Sequence, residues 1–169
     1  GMSLVNLFFD PRRLRLPTQA MAELPGYQAL FRVEPRLRHV RRLPPRLHLS
    51  PEELAQAASM IAELERELLE QKPGYRFSAL AELMRLLVFL ARHYFKSRRT
   101  ERKLLRPISE VLSYIEGHYS ERISLATLCR LAGMSGATLN RAFHAIMGCP
   151  PLEHVIRVRL AHAMDLLRQ

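Results

Sequence analysis

From Ser50 onward the apolar residues recur at alternating three- and four-residue spacing, and this period constrains the chain more than any other feature. Leu54, Ala57, Ile61, Leu64 and Leu68 follow it first, which places them on one face of an α-helix. The helix is expected to start at Ser50-Pro51-Glu52-Glu53, a capping box with proline at the first helical position. Lys72-Pro73-Gly74 ends it, and a second helix begins near Tyr75 with Phe77, Leu80, Met84, Leu87, Ala91 and Tyr94 at the same spacing. Two such helices joined by a Pro-Gly turn form an antiparallel hairpin, with stripes at the 3.5-residue period of coiled-coil seams. The second helix also carries Leu83, Leu86, Val88, Phe89 and Leu90. Being apolar nearly all round, it needs partners on more than one side. A preceding β-domain is one such partner; a homodimer seam through Leu80, Met84, Leu87, Ala91 and Tyr94 is another, and the two are compatible.

Before Ser50 the pattern differs. Ser3–Phe9 alternates polar and apolar residues up to Asp10-Pro11, which reads as a short strand and a turn. Arg46–Leu49, after Pro44-Pro45, reads as a second strand, whereas Leu24–Phe31 suits a short helix or a strand equally. Two strands do not make a stable sheet alone. Residues 1–49 are therefore expected to be the end of a β-domain whose beginning is absent.

In the last third, Pro107 is expected to open a helix with Ile108, Val111, Leu112, Ile115 and Tyr119 inward. Ser124 can cap a short second helix, LATLCRLA, and Gly133-Met134-Ser135 leads into a third, GATLNRAFHAIM, ended by Gly148. A fourth, from Pro150-Pro151 to the chain end, sets Leu152, Ile156, Leu160, Ala163 and Leu167 on one face. Residues 125–146 have the layout of a helix-turn-helix: Gly133 supplies the residue tolerant of positive φ, and Cys129 the small side chain one turn earlier. Leu128, Ala132, Met134, Leu139 and Phe143 suit the mini-core between crossing helices. Ser135 can cap the second helix and offer its N-terminus to a phosphate. With Leu139, Ala142, Phe143 and Ile146 inward, Ala137, Thr138, Asn140, Arg141 and His144 face out, as on a helix that enters a major groove. Asn pairs bidentately with adenine and Arg with guanine. The plain alternative is a three-helix packing motif with a solvated polar face.

The 169 residues are 48% apolar, enough for a real core, which excludes general disorder. No apolar run approaches the ~18 residues of a membrane span, and the start lacks a signal-peptide pattern. Two cysteines, Cys129 and Cys149, make no disulfide scaffold and suit a reducing cytoplasm. The net charge of +10 points to an acidic partner, nucleic acid before a membrane surface. Its distribution is uneven. Residues 11–48 hold nine arginines against Glu23 and Glu34, and residues 92–106 hold seven basic groups against Glu101. Residues 49–91 are net acidic, and residues 107–169 carry six basic against five acidic groups. The run at 92–106 reads as a solvated charge run or a phosphate-contacting segment with equal ease. The seven histidines do not fall at metal-ligand spacings with the cysteines, and no CxxC, HExxH, GxSxG or phosphate-cradling glycine loop occurs. Neither metal, cofactor nor enzymatic activity is expected.

The run ISLATLCRLAGMSGATLNRAFHAIMGCPPLEHVIRVRLAHAMDLL resembles the AraC/XylS family of bacterial transcription regulators. The matching points are Leu128, Ala132, Gly133, Met134, Ser135, Leu139, Arg141, Phe143 and Gly148, then Arg157, Arg159, Leu160, Ala163, Leu166 and Leu167. The likeness is close over residues 107–169. More loosely, SLVNLFFDP, LPGYQALF, the Ser50-Pro51-Glu52 start and LARHY resemble the segment that joins a cupin-type effector domain to its DNA-binding domain, most of all in sugar-responsive members. The resemblance implies a mainly α chain in three parts. Residues 1–49 would end an effector-binding cupin-like β-domain, 50–106 would be a helical hairpin for dimerisation and linkage, and 107–169 the first helix-turn-helix half of the DNA-binding domain with a trailing long helix. It implies a cytoplasmic homodimer on double-stranded operator DNA, with Ser135, Ala137, Thr138, Asn140, Arg141 and His144 at the DNA. A sugar-like effector and RNA polymerase would be further partners; no membrane is implied. The chain departs from the family by lacking the second helix-turn-helix and most cupin strands, by His154 in place of an aromatic, and by the stiff Pro150-Pro151 opening. Those departures sustain a second expectation, a helical dimerisation protein without DNA binding that associates with a full-length regulator.

Overall fold

The computed structural model describes residues 6–10, 14, 16, 18–36, 47, 49–94 and 102–167. They are mainly helical, with no strand among them. The helices are α1 (Thr18–Ala22), α2 (Pro25–Tyr27, continued by a π-helical segment Gln28–Val33), α3 (Pro51–Glu70), α4 (Tyr75–His93), α5 (Arg102–His118), α6 (Leu125–Ala132), α7 (Gly136–Met147) and α8 (Pro151–Leu166).

The expected N-terminal strands are not found among the described residues. Asn6–Phe9, the described part of the first expected strand, is irregular, as are Leu47 and Leu49 of the second. Ser3–Val5, Arg46 and His48 lie outside the described residues. A strand needs a neighbour for its amides and carbonyls, and none is present among the described residues. Leu24–Phe31 resolves as helix, because Pro25 at the first helical position starts α2.

α3 begins as the sequence predicts. Glu53 N donates to Ser50 Oγ at 3.2 Å, and Ser50 N donates to Glu53 Oε2 at 3.0 Å. Gln71, at φ 48°, and Gly74, at φ 89°, turn the chain into α4. Ala57 and Met60 of α3 bury against Leu86 and Phe89 of α4. The opposite face of α4 is covered from within the chain: Leu83 and Leu87 pack with Leu16 and Met21, and Phe9, Tyr27, Leu80, Met84 and Val88 close around them. Gly26 approaches α4 so closely that a Cβ there would sit 1.8 Å from the Ala91 carbonyl oxygen.

The main core lies in the last third. Ile108, Val111, Leu112 and Ile115 of α5 meet Leu128 of α6, Leu139 and Phe143 of α7, and Val155 and Val158 of α8. Val33 from the π-helical segment enters the same core. The helix expected to open at Pro107 starts earlier, at Arg102, with Pro107 inside it. Proline costs one intrahelical hydrogen bond there, while the extra turn carries Leu105 into the core.

α8 differs from expectation in which face it buries. Pro151, Val155 and Val158 are buried, whereas Leu152, Ile156, Leu160, Ala163 and Leu167 are exposed, Leu160 by 58%. The helix is apolar on two sides, and the compact β-branched pair fits against α5 and α7. No helix among the described residues is long and apolar enough to cross a membrane.

Candidate nucleic-acid interface

The geometry of α6 and α7 follows from three local devices. Ser124 caps α6 by accepting from Thr127 N at 3.1 Å. Gly133, at φ 61° and ψ 32°, ends it in the left-handed conformation. Its amide donates to Arg130 O at 3.2 Å, and Met134 N donates to Cys129 O at 3.1 Å, so the last carbonyls of α6 are satisfied inside the turn. Ser135 then caps α7, accepting from Thr138 N at 3.3 Å. The two helices meet closely: a Cβ on Gly136 would lie 3.7 Å from Leu125 Cδ2 and 3.9 Å from Cys129 Sγ. A small side chain at Cys129 permits this approach.

α7 turns Leu139, Phe143, Ile146 and Met147 into the core. Ser135, Ala137, Thr138, Arg141 and His144 are exposed, and Asn140 is half-buried. The structure thus gathers all six residues of the expected DNA-reading set on the start and outer face of one short helix. Ala145 is also exposed and lies one turn beyond Arg141 on the same face, a position that helical spacing from Arg141 could have supplied. Arg141 makes no ion pair among the described residues, so its guanidinium is available to a partner.

The arginines of α8 are engaged elsewhere. Arg159 Nε donates to Tyr119 O at 2.7 Å and its Nη2 to Glu121 O at 2.6 Å, tying α8 to the carbonyls where α5 ends. Arg157 pairs with Glu153 at 2.6 Å. His154 packs edge-on against Phe143, with ring centroids 5.5 Å apart. Burial, and next the charge of Arg32, push its pKa down to about 4; Arg36 and Arg157 add to this, and Glu116 opposes it. The ring is therefore neutral near pH 7 and serves as an aromatic filler.

The residues expected at a dimer seam also pack within the chain. Leu87, Ala91 and Tyr94 are buried, and Leu80 and Met84 half-buried, against the chain's own N-terminal helices. Tyr94 also donates its hydroxyl hydrogen to Glu34 Oε2 at 2.8 Å. Of the basic segment 92–106, residues 95–101 lie outside the described residues. Among the described residues no three His, Cys, Asp or Glu side chains are grouped to hold a metal ion.

No protein-family model, curated protein or solved structure matches the chain.

Proposed function

We propose that this chain is a sequence-specific DNA-binding transcription regulator of the AraC type, cytoplasmic and effector-responsive in carbohydrate metabolism. The observation that carries the reading is the outer face of α7. Thr138, Asn140, Arg141 and His144 stand on a helix whose inner face is locked in the core and whose entry is set by Gly133 and Ser135. Fixed backing and an accessible polar face are what major-groove readout requires. In this reading α7 is the recognition helix of a helix-turn-helix, and the α3–α4 hairpin joins it to the effector-binding part. Arg141→Ala should weaken binding to a selected site by ~1–3 kcal/mol and relax one base position. Unchanged binding on every duplex tried would remove the base-reading role.

A second reading has its own observation. The exposed apolar stripe of α8, from Leu152 through Ile156 and Leu160, suits a helical association module that pairs with a full-length regulator without touching DNA. Sedimentation of the full chain with and without DNA separates the two.

A further inference from the structure

A cavity of about 830 Å3 opens between the π-helical segment and α8, within the size range of small-molecule sites. Arg32 and Arg36 line it from one side and Arg157 from the other. The Arg32 guanidinium is held by an ion pair to Glu116, whose carboxylate is buried. Arg36 is bound differently. Its Nη1 lies 2.9 Å from Met147 Sδ, a thioether that is only a weak acceptor, and it has no carboxylate partner among the described residues. A guanidinium directed at sulfur leaves most of its donor fork unused.

The rest of the lining is polar in a complementary way. His162 Nε2 stands 3.7 Å from Glu116 Oε2, and its ring stacks on Tyr119 with centroids 3.9 Å apart. Asp165 lies on the same side of α8 and also lines the cavity. Arginine forks match phosphate oxygens, while a carboxylate and an imidazole accept and donate to hydroxyls.

We infer that this cavity binds the phosphate group of a small molecule, with Arg36 on the phosphate, Arg157 joining it by turning from its exposed pair with Glu153, and Asp165 and His162 beside its body. Arg32, Arg36 and Arg157 each lower the His154 pKa, so the arginines on both sides of the cavity stand around that ring. The phosphate can come from free inorganic phosphate or from a hydroxyl-bearing monoester. The lining favours the ester, because inorganic phosphate would leave Asp165 and Tyr119 unused.

Calorimetric titration of the full chain, in a phosphate-free buffer at constant ionic strength and without DNA, decides the matter. A hexose monophosphate should give saturable heat, and inorganic phosphate should bind more weakly. Arg36→Gln and Arg157→Gln should each weaken ester binding roughly tenfold. Arg122→Gln, an exposed arginine outside the cavity, should leave it unchanged. Equal binding of ester and inorganic phosphate, both lost in Arg157→Gln, would keep the phosphate site and assign it to the free ion. Absence of saturable heat overturns the inference. So does undiminished binding by Arg157→Gln; because Arg157 is exposed on α8, a loss in that variant is not explained by misfolding. Because no DNA is present, neither result bears on the base-reading role of α7.

Discussion

Gly26 and Ala91 touch backbone to backbone: α2 is seated on the last turns of α4 with no room for a methyl group between them. Gly26→Ala would put its Cβ against a carbonyl oxygen that cannot rotate away. Overpacking of this kind costs about 1–3 kcal/mol, so urea denaturation should show a loss of that order. If Gly26→Ala matches wild type, the N-terminal helices do not sit on α4 as described.

Gly133 presents the opposite case, since a Cβ there would meet nothing within 4 Å. The cost of Gly133→Ala is conformational, about 1–2 kcal/mol for a left-handed residue. Gly133→Asn should recover much of it, because asparagine tolerates this region. Thermal melts of the two variants side by side test the assignment; equal melting temperatures would contradict it.

His154 makes stability depend on pH in a definite direction. Its folded pKa, about 4, lies below the ordinary value of 6.5, so the unfolded chain takes up the proton first as pH falls. The associated stability is fully present above about pH 6.5 and is lost progressively toward pH 4, on the order of 3 kcal/mol at most. His154→Phe should flatten the denaturation free energy across that window while keeping the contact with Phe143. A slope identical to wild type would show that the imidazole is not the group responsible.

The two faces of α8 should respond differently to truncation. Val155→Ala removes buried methyl groups and should cost about 1–3 kcal/mol, whereas Leu160→Ala, on the exposed stripe, should stay within about 0.5 kcal/mol in a monomeric sample. A large Leu160→Ala loss that grows with protein concentration would place that stripe in an assembly.

Much of this fold is legible in the chain because its determinants are local. The Ser50 capping box, the Gly133 turn and the inward set Leu139, Phe143 and Ile146 are each specified within a few residues. The outward face of α7 follows from that inward set by helical geometry. What local pattern could not give is the competition between surfaces. On α8 two apolar stripes were available, and only packing against α5 and α7 selected Val155 and Val158. On α4 the all-round apolarity correctly demanded several partners, but not that Leu16 and Met21 of the same chain would be among them. Asn6–Phe9, the described part of the first expected strand, is irregular, and a period of two describes a strand only when a neighbouring strand exists.

The position of Val33 in the core of the last third has a consequence for how the chain acquires its structure. Arg32 and Glu116 are separated by 84 positions, and Val33 fills space among residues that are synthesised long after it. The N-terminal helices must wait, unsheltered on that side, until α5 emerges from the ribosome. Closing so wide a loop is entropically costly, and the docking of Val33 must follow the synthesis of α5. A ribosome-stalling series should therefore show protease protection around Arg32 and Val33 only after α5 has cleared the exit tunnel.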